Sequence, residues 1–117
     1  MTIELSHTQR LNLHALLGAQ HADLASIRAL WTIQDNLALS IEEEKAIELR
    51  REVVAGRERV LWNPALSLPL KQFEFTEGDR AHLRRVVETW DGYGVTADRQ
   101  WLEPLLARLC GPQPPSR

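Results

Sequence analysis

The chain has 117 residues, of which 44% are hydrophobic and 26% are charged, as expected for one soluble globular domain. Its formal net charge of −2 at pH 7 argues against a dedicated nucleic-acid binder, which usually carries a basic excess. The single cysteine, Cys110, excludes an internal disulfide framework. Because lone thiols suit a reducing compartment, and no signal peptide or run of ~20 apolar residues is visible, we expect a cytoplasmic protein without membrane contact.

The N-terminal third predicts a short strand and two helices. Residues 2–5 alternate between polar and apolar side chains, as in a strand. Ser6 and Gln9 then have the spacing of a capping box, which starts a helix. Apolar residues three and four apart predict a second helix, capped by Asp23. We expect the two helices to separate near residues 18–22.

Residues 40–56 carry the clearest helical pattern in the chain. Ser40 and Glu43 form a second capping box. Glutamates fill the first turn and arginines lie toward the end, which matches the helix dipole. We predict one helix that ends near Gly56 or runs on toward Val60, with its glutamates on a solvated, salt-bridged face.

Residues 60–75 change character and predict extended structure. The Asn63-Pro64 pair is a turn signal. Leucines alternate after it, but Pro69 removes a backbone donor and restricts any strand to a sheet edge. The large apolar residues of this segment, which we call the apolar arm, are Trp62, Leu66, Leu68, Leu70, Phe73 and Phe75. The arm belongs either to the core or to a protein interface.

The stretches TIELS and QFEFT resemble each other, because each leads from a short alternating strand into a capped helix. Thr76 and Asp79 supply the second of these caps. One interpretation is a remote duplication whose two strands pair. The other is that strand-to-cap junctions are common in proteins.

The C-terminal third predicts two more helices. Gly92 is placed to end the first in a left-handed cap. Pro104 interrupts the second, so we expect either a kink there or a separate helix beginning near Glu103. The fold we predict is a mainly α single domain, residues 1–110, of four or five helices with an extended arm or two-stranded β-ribbon around residues 60–75. Residues 111–117 are proline-rich and predict a flexible tail.

Three histidines, His7, His14 and His21, are spaced seven residues apart. Seven helical residues rise about 10.5 Å, which is too far for two nitrogens that each bind one zinc ion at about 2.0–2.1 Å. We therefore predict no metal and no cofactor within the chain, and place His14 at the edge of a buried stripe. A metal or pH-responsive site built across subunits remains the third functional hypothesis.

The arginines Arg80, Arg84 and Arg85 are the basis of the second hypothesis, a small regulator that touches nucleic acid. Acids at Glu77 and Glu88 alternate with them along the helix, which opposes tracking of a phosphate backbone. Nucleic acid is therefore the less favoured partner.

The first hypothesis is a non-enzymatic helical interaction module that self-associates or binds another protein. The sequence contains no GxSxG motif or Walker loop. Tryptophans at 31, 90 and 101 lie on apolar helix stripes, where core packing is expected. The residues predicted to bind the partner are Trp62, Leu66, Leu68, Leu70, Phe73 and Tyr93.

Overall fold

The computed structural model describes residues 2–109, and within that range it contains five helices and four strands. In chain order the elements are β1 (Thr2–Leu5), α1 (His7–Gly18), α2 (Leu24–Leu37), α3 (Ile41–Ala46), β2 (Arg50–Val54), β3 (Arg57–Leu61), β4 (Lys71–Glu74), α4 (Glu77–Thr89) and α5 (Arg99–Leu109). The strands form two antiparallel two-stranded sheets, one of β1 with β4 and one of β2 with β3. Cys110 and the predicted tail 111–117 lie outside the described residues.

The prediction of a mainly α domain is wrong, since the domain mixes helices with two small sheets. The predicted ribbon around residues 60–75 is not one sheet. Its first residues end the β2–β3 hairpin, and its last residues form β4, whose partner is the distant β1. A single sequence does not show that pairing, because strands need contacts far apart in the chain.

Strands β1 and β4 come from the two similar stretches, TIELS and QFEFT, and they pair with each other. This pairing was part of the duplication interpretation. Ile3 lies opposite Phe73 in the antiparallel register, and both side chains are buried. Ser6 with Gln9 and Thr76 with Asp79 form complete capping boxes at the starts of α1 and α4. Each strand is therefore followed directly by a capped helix, and both helices pack on the same core.

The two N-terminal helices are separate, as predicted, and the Asp23 side chain accepts the Ser26 backbone N–H at 2.8 Å. The core between them and the C-terminal helices is formed by apolar side chains from every helix except α3 and from β1 and β4. They include Leu5, Leu13, Leu17, Ile33, Leu37, Phe75, Leu83, Val86, Leu105 and Leu109. Trp101 is buried and Trp90 packs against this core, whereas Trp31 is 54% exposed, contrary to the expectation for a stripe residue.

The predicted long helix over residues 40–56 is wrong beyond its first turns, because α3 ends at Ala46. Glu48 adopts a left-handed backbone with φ of 55°. Its N–H bonds to the Lys45 carbonyl, and the Leu49 N–H bonds to the Glu44 carbonyl, which is the Schellman pattern of a helix end. Glycine usually occupies that position, so the sequence carried no stop signal there.

At the C-terminal end, the prediction that Gly92 ends α4 in a left-handed cap is wrong. Helix α4 ends with an extended Trp90, Gly92 has no positive φ, and the Trp90 ring lies 2.8 Å from a Cβ added at Gly92. Helix α5 begins at Arg99 and continues through Pro104 on its exposed side, so no separate helix begins at Glu103. Across residues 2–109, no helix combines the length and apolarity required to cross a membrane.

Candidate functional site

The β2–β3 hairpin is the most exposed part of the described chain, since every residue from 50 to 60 is exposed. Val53 is 71% exposed, Val54 46% and Val60 38%. Isolated two-stranded hairpins are at best marginally stable in water. This hairpin therefore presents apolar side chains and backbone without the packing that strands normally receive.

The turn geometry fixes which backbone groups point away from the hairpin. Ala55 and Gly56 both have positive φ, 53° and 77°, as a type I′ turn requires. In such a two-residue hairpin the closing pair, Val54 with Arg57, is hydrogen-bonded. Alternate residues then direct their N–H and C=O outward, namely Arg51 and Val53 on β2 and Glu58 and Val60 on β3.

Both edges of this sheet are open within the described residues, because no third strand joins it. No side chain or loop in residues 2–109 binds the outward N–H groups of Arg51, Val53, Glu58 or Val60. A row of unpaired backbone groups is a template for pairing with another strand.

Hydrogen bonds fix the base of the hairpin to the rest of the domain, in contrast to its exposed strands. The Asn63 backbone N–H donates to the carbonyl of fully buried Ile47 at 2.9 Å, and the Asn63 side-chain amide donates to Glu48 at 2.9 Å. Arg51 donates to both carboxylate oxygens of Glu44, at 3.2 Å and 3.0 Å. The hairpin is thus a projection from a fixed base.

A groove of about 590 Å³ separates the inner face of the hairpin from α1. Val60 and Trp62 line one wall and Leu11 and His14 line the other. Each arginine in the groove already has a carboxylate partner among the described residues, in the pairs Arg10–Glu43, Arg51–Glu44 and Arg59–Glu52. The groove offers shape and apolar surface, and no unpaired arginine for an anion.

The apolar arm is mostly folded onto the domain. Phe73 and Phe75 are buried in the core, and the cations of Arg10 and Lys71 lie 5.3 Å and 5.4 Å from the Phe73 ring centre. Trp62, Leu66 and Leu68 are half-buried, and Leu70 is 51% exposed. Of the predicted partner-binding residues in the arm, Leu70 is the most accessible and Phe73 the least.

Tyr93, the remaining predicted contact, is also engaged within the domain. Its hydroxyl donates to the Val87 carbonyl at 2.8 Å, and its ring lies 6.2 Å from that of Trp101. Burial raises the pKa of its hydroxyl. Tyr93 thus closes the loop between α4 and α5 over the core.

The three spaced histidines are not brought together. His7 is buried, its Nδ1 accepts the Leu68 backbone N–H at 3.4 Å, and Trp62 packs edge-on against it with ring centres 6.0 Å apart. His14 is half-buried beside the groove and His21 is exposed. Burial lowers the pKa of His7, helped by nearby Arg10. Within residues 2–109, no three histidine, cysteine or acidic side chains are grouped to hold a metal ion.

The arginines of α4 do not form a continuous basic face. Arg80 Nε donates to the Leu109 carbonyl at 2.9 Å and so joins α4 to the end of α5. Arg84 pairs with Glu88 at 3.3 Å. Arg85 is exposed and lies beside Asp23 at the start of α2. Acids therefore accompany two of the three arginines.

Sequence reasoning missed two features of the surface. We predicted a helix over most of the residues that form the hairpin, although the β-branched pair Val53-Val54 before Gly56 is typical of a strand and turn. The other is Arg10, which is 1% exposed and bound to Glu43. Its position three residues before Leu13 on the apolar stripe of α1 was the available signal.

Comparisons of the chain with protein-family models, with curated proteins and with solved structures found no match.

Proposed function

We propose that this chain is a non-enzymatic interaction module that docks another protein chain on its projecting β2–β3 hairpin. The observation that carries the proposal is the exposure of every residue from 50 to 60 together with two open strand edges. Strand addition to an exposed edge is a common mode of protein recognition, in which backbone hydrogen bonds supply affinity and side chains supply specificity.

The fixed base of the hairpin supports this role. Arg51 holds the start of the hairpin to Glu44 of α3, and Asn63 holds its end to Ile47 and Glu48, just after α3. A docking strand therefore meets an edge whose position relative to the domain is already set, which lowers the entropy lost on binding. We propose the hairpin as the main contact with the partner. Leu70 is the residue of the apolar arm that is most accessible to that partner.

The partner we propose is a protein or a second copy of the chain, and we propose a cytoplasmic location from the single cysteine in the sequence. The groove arginines are paired with carboxylates, and on α4 Arg84 pairs with Glu88, so acids interrupt the cationic track that a nucleic acid would follow.

The test uses the turn of the hairpin. Ala55→Pro is incompatible with a φ of 53° and should destroy the turn without touching the core. Ala55→Asn suits that φ and is the matched control. The full chain and both variants are immobilised and offered a tagged copy of the chain and a native cell extract. Proteins retained by the wild type and by Ala55→Asn, and lost with Ala55→Pro, are the expected result. Identical retention by all three chains contradicts the proposal.

A further inference from the structure

We propose that the docked chain is a second copy of this protein, which pairs antiparallel along the outer edge of β2 so that two hairpins form one four-stranded sheet. The inference rests on the proposed function, because it names the occupant of the same hairpin. Two copies related by a two-fold axis form closed, self-complementary interfaces, the commonest arrangement of protein oligomers.

The backbone restricts the possible registers. A two-fold axis perpendicular to the sheet keeps both faces continuous, so each β2 residue must face a residue of the same parity in the second copy. Arg51 and Val53 direct their N–H and C=O outward from β2. A register that places Arg51 opposite Arg51 of the second copy makes that central pair hydrogen-bonded and places Arg50 opposite Glu52 in the next pairs out. Beyond them, the Val53 side chain lies beside that of Leu49, whose N–H stays bonded to the Glu44 carbonyl.

The charges on one face favour this register. Arg50 lies opposite Glu52 of the second copy, and by symmetry Glu52 lies opposite Arg50 of the second copy. Glu52 already pairs with Arg59 across the hairpin at 3.7 Å. Each row across the new sheet then runs arginine, glutamate, arginine. Opposite charges on facing strands stabilise a sheet, and like charges destabilise it.

The other face is also satisfied. Val53, which is 71% exposed, is covered by Leu49 of the second copy. The central arginines face each other, but each Arg51 carries its own carboxylate, Glu44, at 3.0 Å. The two central arginines and their two glutamates therefore carry no net charge together.

Neighbouring registers and the other edge lack this complementarity. A shift of two residues in one direction places Glu52 opposite Glu52, and in the other direction places Arg50 opposite Arg50 and Glu52 opposite Glu48. On the β3 edge, a two-fold centred on Glu58 sets Arg57 against Arg59, and one centred on Arg59 sets that arginine against itself, so neither register places opposite charges across the interface. The sequence of β2 is thus self-complementary in one register.

The test exchanges charges between two copies. Arg50→Glu places a glutamate opposite Glu52, and Glu52→Arg places an arginine opposite Arg50, so each variant alone meets like charges in both rows. A mixture of the two variants restores opposite charges in both rows of a heterodimer. Sedimentation velocity over a range of concentrations measures the association of the wild type, of each variant and of the mixture.

We expect the wild type to self-associate, each variant alone to associate at least about tenfold more weakly, and the mixture to return to within about threefold of the wild type. Arg57→Glu and Glu58→Arg are the matched controls, since they change the same charges on the hairpin away from the β2 edge, and their association should match that of the wild type. Circular dichroism checks that all variants retain the helices.

Three results would overturn the self-pairing. They are a wild type that stays monomeric up to about 1 mM, a mixture no stronger than its components, and equal weakening by Arg57→Glu. The proposed function fails separately, when Ala55→Pro retains the same proteins as the wild type. A monomeric chain that still loses a captured protein on Ala55→Pro keeps the docking hairpin and assigns it to a different protein.

Discussion

The buried guanidinium of Arg10 binds both carboxylate oxygens of Glu43, at 2.6 Å and 3.0 Å, across 33 positions of the sequence. The same guanidinium donates to the Leu37 carbonyl at 3.2 Å and to the Ala38 carbonyl at 2.9 Å, where α2 ends. Glu43 also accepts the Ser40 backbone N–H at 2.9 Å as part of the α3 capping box. One ion pair therefore joins α1 to the end of α2 and the start of α3.

Removal of this guanidinium should destabilise the fold strongly. Arg10→Met leaves Glu43 without its charge partner and two carbonyls without donors, so we expect a loss of about 3 kcal/mol in the free energy of unfolding. Urea denaturation measures it. The control is Arg84→Ala, which removes an exposed pair with Glu88 and should cost no more than about 0.5 kcal/mol. Equal losses in the two variants would show that Arg10 is not a structural clamp.

Acid should weaken the same contact. Hydrogen bonds from Arg10 lower the pKa of Glu43 to about 2 from its ordinary value of 4.5. Because the folded pKa is the lower one, the stabilisation is complete above the unfolded pKa and is lost as pH falls toward the folded value. The difference in unfolding free energy between wild type and Glu43→Gln should therefore shrink as the pH is lowered through this window. A difference that is constant from neutral pH to about pH 2 would contradict the assignment.

Neutral His7 should make the fold sensitive to mildly acidic pH. Burial, with a smaller effect from Arg10, lowers the pKa of His7 below its ordinary value of 6.5. The unfolded chain then takes up the proton first, so stability falls as pH drops through 6.5 toward the folded pKa and is greatest above 6.5. His7→Gln should reduce this slope in thermal unfolding, and part of it should persist through His14, whose pKa burial also lowers. An unchanged slope in His7→Gln would exclude His7 as its source.

A substitution that relieves backbone strain in the turn should stabilise the hairpin. Alanine at a φ of 53° carries a strain of about 1 kcal/mol, which asparagine tolerates better. Ala55→Asn should raise the exchange protection of the hydrogen-bonded β2–β3 amides by up to about fivefold. Ala65→Asn, at an exposed alanine without a positive φ, is the matched control and should leave that protection unchanged. Equal protection in the two variants would mean that the turn does not limit the hairpin.

The left-handed Glu48 offers a comparable test at the end of α3. Glycine at this position relieves backbone strain but loses the hydrogen bond from Asn63 to the carboxylate. We expect Glu48→Gly in an Asn63→Ala background to be stabilising relative to Asn63→Ala alone, by about 1 kcal/mol in urea denaturation. A destabilised double variant would show that the Schellman geometry is not strained at Glu48.

Local chemistry determined much of this protein from the sequence alone. The capping boxes at Ser6, Ser40 and Thr76 all form, and the break between the first two helices lies where Asp23 caps the second. These features depend on side chains that bond to backbone groups three residues away. Such contacts are the same in almost any fold, so a sequence pattern is sufficient to predict them.

Only the tertiary structure decided that α3 ends at Ala46 and that a hairpin comes after it. The segment just beyond Ala46 has helical charge patterning and no glycine at the cap, so no local signal ended the helix at Ala46, although Val53-Val54 favours a strand further along the chain. Burial of Ile47 and its hydrogen bond from Asn63 fix the chain at the base of the hairpin. The pairing of β1 with β4 and the burial of Arg10 against Glu43 likewise join residues far apart in sequence. Their free energy comes from contacts that exist only after the chain has folded.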